Sequence, residues 1–141
     1  QAPVDRALTR LDVGRVKHLW IHGGPRYRAV ARQLTEQGHG SHADELETSL
    51  MLALAPHLVD MARAEASPTR KQQTPGALTP SDPDSPNYSR SGSYGDPTLA
   101  TSAKGELLLA AMLDDLNEQM ASFAAEGPAA EQRSDTFRSV L

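Results

Sequence analysis

The stretch GHGSHADELETS (38–49) sets His39, His42, Asp44, Glu45 and Glu47 close together, with Ser41, Thr48 and Ser49 between and after them. Imidazole and carboxylate are the side chains that hold divalent metals and move protons near neutral pH. The sequence has no cysteine, so thiolate metal sites and disulfides are excluded and any metal must be held by His, Asp or Glu. An apolar run, LMLALA (50–55), follows at once. Ser41 with Asp44, and Asp44 with Glu47, both have capping-box spacing and compete to start one helix. From Leu46 to Leu54 that helix is apolar nearly all round, which predicts a central, buried element.

First-turn carboxylates are stabilised by the helix dipole by about 0.3–1 kcal/mol each, which accounts for one or two of them. A buried Glu47 would need a cation, an arginine or a metal, because burying an unpaired carboxylate is costly. With the helix starting at Asp44, Glu45 and Glu47 point roughly 200° apart and cannot both face one small ion while the first turn is regular. On the residues alone, capping with a salt bridge and a metal or acid–base site both stay open.

The other histidines carry weaker signals. His39 sits between glycines and reads as a mobile loop residue. His18 and His22 share one face of a short segment, too far apart for a single ion, and ordinary burial accounts for them. Gly23-Gly24-Pro25 lacks the spacing of a phosphate-binding loop.

These residues need elements to position them. Leu8 and Leu11 mark a weak short helix near the start. RVKHLWIH (15–22) is rich in strand-forming residues and predicts a strand apolar on both faces. Pro25 is placed for a first helical turn. Tyr27, Val30, Ala31 and Leu34 make an amphipathic stripe that ends before Gly38. Strand, tight turn and helix form half of a βαβ unit and point to an α/β fold. Pro56 interrupts the helix begun near Asp44 or begins a second turn, and HLVDMARAEA (57–66) continues with helical character. Leu108, Met112, Leu116, Gln119/Met120 and Phe123, flanked by Ala111, predict a last helix from Ser102 to about Gly127-Pro128. Lys104, Asp114, Asp115 and Glu118 fall away from its stripe, and packing alone explains it.

At 141 residues the chain can form one domain, and residues 1–128 are assigned to it. Residues 67–86 read as a Pro-rich loop or insertion, and 129–141 as a tail. From Asn87 onward, Tyr88, Tyr94 and closely spaced Ser and Gly suggest a segment that packs against something. A net charge of −4 speaks against nucleic-acid or membrane partners. No apolar run approaches the roughly 20 residues that span a bilayer, and no signal peptide is evident, so a cytoplasmic location is expected. The chain starts with Gln1 rather than Met, which suggests part of a larger unit.

Two segments resemble a known family. HADELETSLMLALAPHLVDM (42–61) resembles the HAGExETSLMLAL motif of the creatininase (creatinine amidohydrolase) family. YSRSGSYGDPTLATSAKGELLLAAMLDDL (88–116) resembles its second signature, GDPTLAS/T followed by KG and a last helix. The resemblance covers roughly residues 15–125. It implies a three-layer αβα fold, of which this chain is the C-terminal portion, usually assembled into oligomers. It also implies hydrolysis of a cyclic or linear amide at two divalent metal ions, commonly zinc, manganese or iron. By this likeness His42 is the catalytic histidine that shuttles the proton. Glu45 is the candidate for contact with the metal or its water, and Glu47 the second metal-site candidate, anchoring that site. The family's Glu-x-His pair and the Asp that follows it are absent. IHGG (21–24) reads as the strand preceding the HAGE motif rather than as the family's Asn-Gly-His-Gly-Gly-Asn segment. An N-terminal half, or a partner subunit carrying the missing ligands, is therefore expected. The rival expectation is a non-catalytic scaffold subunit, and a peptidase or deformylase of the same family is a third.

Overall fold

A computed structural model describes residues 17–67, 81–85 and 88–126. The expected helix at Leu8 and Leu11, most of the Pro-rich loop and the tail at 129–141 lie outside the described residues. Among those described, three α-helices dominate: α1 (Pro25–Leu34), α2 (Glu45–Leu54) and α3 (Ser102–Ala125). α3 packs against both α1 and α2. None of the three is long and apolar enough to cross a membrane.

Each helix starts where its sequence permits. Pro25 occupies the first turn of α1, where its missing N–H costs nothing. Asp44 wins the competition to cap α2, accepting from the N–H groups of Leu46 and Glu47, both at 3.0 Å. Thr101 caps α3 by accepting from Lys104 N–H at 3.2 Å. The α2–α3 crossing is close because Gly105 faces Ser49, where a Cβ would overlap the Ser49 carbonyl oxygen. Ser49 is wholly buried, and its hydroxyl donates to Glu45 O at 2.6 Å while accepting from Thr101 N–H at 3.1 Å. Leu50, Tyr94, Ala100, Leu108 and Ala111 form the buried apolar core.

The structure corrects the strand expected at 15–22. Residues 17–20 have no regular structure, Trp20 and Gly23 close a turn at 2.9 Å, and Trp20 and Ile21 are 55% and 47% exposed. A strand exists only through its ladder, and among the described residues nothing pairs with this segment. Those residues therefore show a helical part of the expected αβα fold, with no strand and a single antiparallel bridge, His42 to Tyr94.

Three further expectations change. α2 is not buried all round: Met51 and Leu54 are exposed. Beyond it, Pro56 does begin a second turn, but the helical character of 57–66 is limited to single 3₁₀ turns at Pro56–Leu58 and Met61–Arg63 rather than a continuing helix. Pro56 forces Ala55 out of helical geometry, to φ −151° and ψ 65°. On α3, Lys104 and Asp115 do not lie on a solvated face. Asp115 is 2% exposed and accepts from the N–H groups of Arg26 (3.2 Å) and Tyr27 (2.9 Å), capping α1 from another helix. Arg26 reaches over it with ion pairs to Asp115 and Glu118.

Candidate functional site

The N-terminal end of α2 and the loop before it bring the candidate residues together. His42 is exposed, but its backbone is pinned by the second signature. Tyr94 N–H donates to His42 O at 2.8 Å, and Tyr94 O accepts from Ser41 N–H at 2.8 Å. Tyr94 itself is 1% exposed, as the change of character after Asn87 suggested. Ala43 follows in the left-handed region at φ 41°, a conformation that costs a non-glycine residue about 1–2 kcal/mol. Its two backbone groups are tied down: N–H to Glu47 Oε2 at 2.7 Å, and O from the Ser93 hydroxyl at 2.9 Å.

Glu45 and Glu47 part company as helix geometry requires. Glu47 is exposed rather than buried, so the cation expected for it is not needed; the Ala43 N–H serves instead. Glu45 is the buried carboxylate, with no exposed surface. Its oxygens accept from Glu36 N–H at 2.9 Å, Gln37 N–H at 2.9 Å and Lys104 Nζ at 2.6 Å. Burial pushes the Glu45 pKa up, but the Lys104 ammonium and the two backbone N–H groups outweigh it and hold the carboxyl below its ordinary value. Lys104 also donates to Glu36 Oε1 at 2.5 Å and to Leu99 O at 3.0 Å. Burial lowers the Lys104 pKa, yet bonds to Glu36 and Glu45 leave it raised overall.

Gln37 is the second hub. Its amide oxygen accepts from Asp96 N–H (2.9 Å) and Glu45 N–H (3.3 Å), and its amide nitrogen donates to Asp44 Oδ2 (3.0 Å). Gly95, at φ 147°, sits so close that a Cβ would overlap Asp44 and Gln37. The YGDPTLATSAKG segment is thus the seat of the HADELE loop: Tyr94 pairs, Gly95 fits, Asp96 docks, Thr101 caps, Lys104 clamps and Gly105 lets the helices close.

Two residues absent from the sequence-based candidates stand nearby. Tyr27, in the first turn of α1, has its phenol pKa pushed up by burial and by the charges of Asp44 and Glu47. The exposed His22, expected to be buried, lays its ring against Tyr27 with centroids 5.7 Å apart. His39 is half-buried rather than a loose loop residue, with Nε2 enclosed and without a hydrogen-bond partner. Ala43, Thr48, Val59 and Asp60 also line an open cleft of about 170 Å³ that includes Arg63, Glu65, Ser91 and Ser93.

Two neighbouring segments, each a recognisable signature, thus fold onto one another around an exposed histidine. The creatinine amidohydrolase (creatininase) family profile matches residues 3–120, so the chain belongs to the creatininase family. Solved structures agree. A tryptophan-to-phenylalanine mutant creatininase of Type II is 27% identical with a TM-score of 0.64, over 86% of this chain and 48% of that one. A manganese creatininase is 26% identical with a TM-score of 0.62, over the same shares. A glutamate-to-glutamine mutant creatininase complexed with creatine is 29% identical with a TM-score of 0.55, over 73% of this chain and 40% of that one. The chain therefore spans about half the length of the creatininase structures it matches. Among curated proteins, none matches it.

The implied metals can be tested against the residues present. Among the described residues, no group of three or more His, Asp or Glu side chains is arranged to hold a metal ion. Glu45 already accepts from three donors, and Glu47 points to the opposite side of the helix. The described residues do not make a metal centre by themselves.

Proposed function

We propose that this chain is the C-terminal part of a creatininase-like, metal-dependent amidohydrolase that cleaves the C–N bond of a cyclic or linear amide. The metal ligands would be completed by another part of the unit. Family membership over residues 3–120 and the manganese and zinc–zinc forms among similar creatininases support this reading. In such enzymes divalent metals supply an activated water and polarise the carbonyl. The observation that carries the role of this chain is His42: an exposed imidazole on a backbone fixed at both ends by Tyr94. A histidine so held donates the proton that the leaving nitrogen needs, and its free surface lets substrate reach it. Glu47, also exposed, accepts from the N–H of Ala43, the residue in left-handed conformation next to His42, and so supports the turn that carries the histidine.

The test is to purify the chain with whatever accompanies it and assay amide hydrolysis, with creatinine as first substrate. The isolated chain should be inactive, the assembled unit active, and His42→Ala should lower kcat by about 10²–10⁴-fold, the usual weight of acid–base catalysis. Hydrolysis by the isolated chain would overturn the split-site reading. The rival reading, compatible like the first with the described residues holding no metal-binding cluster by themselves, is a non-catalytic scaffold subunit. On that reading His42→Ala leaves the activity of the assembly unchanged.

A further inference from the structure

We propose that Glu45 is a positioning residue rather than a metal ligand, and that Lys104 is its counterpart. Together they fix the place of His42. Glu45 is the glutamate that the family likeness assigns to the metal, yet its carboxylate has no exposed surface and is surrounded by this chain's own donors. A ligand must turn a lone pair toward an ion at about 2.0–2.2 Å, and each contact given up here would strand a donor in the interior.

The network reaches His42 by two routes. Along the loop, Glu45 holds the N–H groups of Glu36 and Gln37, and the Gln37 side chain holds the Asp44 carboxylate two residues after His42. Through the second signature, Lys104 holds Glu45 and Leu99 O, while Gln37 holds Asp96 N–H, two residues from the Tyr94 that pairs with His42. Releasing the charge pair loosens both routes at once. Glu45 and Lys104 lie 59 positions apart and, among the described residues, form the one ion pair that joins the two signatures. The importance of His42 rests on the function proposed above; the mechanical link does not.

The test uses the full chain and needs no activity. Hydrogen exchange is measured at the amides of Glu36, Gln37, His42 and Tyr94 in wild type, Lys104→Met, Lys104→Arg and Glu45→Gln, with far-UV circular dichroism as the check on folding. Lys104→Met and Glu45→Gln should speed exchange at all four amides by about tenfold or more while α3 amides keep their protection, and Lys104→Arg should restore most of it. Unchanged exchange at His42 and Tyr94 in folded Lys104→Met or Glu45→Gln overturns the proposal. If both variants unfold, Lys104→Arg decides: wild-type protection supports the charge clamp, and loss at the four amides despite the retained charge overturns it. In the assembled enzyme, Glu45→Gln should keep the metal content of wild type; a lost metal equivalent would make Glu45 a ligand after all. On the scaffold reading His42→Ala would leave the activity of the assembly unchanged, and the exchange pattern would still appear.

Discussion

The two ends of α2 are finished in opposite ways. At its N-terminus every carboxylate is used: Asp44 caps, Glu45 pairs with Lys104, and Glu47 holds Ala43. At its C-terminus, Met51, Leu54 and Leu58 are 41%, 60% and 70% exposed, and an open groove runs past Glu47, Thr48, Met51, Leu58 and Val59. At one end the carboxylates all find partners within this chain. The other presents the apolar surface that an α/β fold covers with a further layer, which fits a chain spanning about half of its structural relatives.

Breaking the finished end should have the largest effect. Lys104→Met leaves Glu45 charged and buried without its cation, which costs about 3–5 kcal/mol, read as a lower urea midpoint. Next is the floor beneath it: Gly105→Ala drives a methyl into the Ser49 carbonyl and should cost about 1–3 kcal/mol by separating α2 from α3.

Acid should act more gradually, on this end and on the start of α1 that Asp115 caps. Glu45 and Asp115 both have pKa values held below their ordinary 4.5 and 3.8; for Asp115 burial opposes this, but N–H groups of Tyr27 and Arg26 and the Arg26 guanidinium prevail. Depressed carboxylates stabilise the fold above their unfolded values, and that contribution is lost as pH falls through the folded ones. The urea midpoint should therefore hold steady from neutral pH down to the ordinary carboxylate range and fall below it. Glu45→Gln should make that fall shallower. The smallest effect belongs to the open end: Leu54→Gln with Leu58→Gln should change the stability of the isolated chain by less than about 0.5 kcal/mol per site, while weakening assembly of the active unit. A large loss from this pair in the isolated chain would show that the open end is already covered.

Much of this was legible because it is local. Pro25 and Asp44 act on groups within one turn, so the start of α1 was legible and that of α2 was narrowed to Ser41 or Asp44, while the Thr101 cap of α3 was seen only in the structure. The opposed directions of Glu45 and Glu47 followed from the helical period. Which of the two would be buried did not, and the sequence reading placed the burial on Glu47. Lys104 and Asp115 fall away from the stripe of α3, and the stripe says nothing of what they pair with. Their partners Glu45 and Arg26 lie 59 and 89 positions away. The strand at 15–22 failed for a related reason: its residues favour extended backbone, but only a neighbour can supply a ladder.

By itself, the sequence determined the approximate helix starts, the break at Pro56 and the two signatures that mark the family, since these depend on residues close together in the chain. Only the tertiary structure decided which charges are interior and which remain available. Burial and pairing are properties of what lies opposite a side chain, and here that is supplied by α3 and the Tyr94–Lys104 segment.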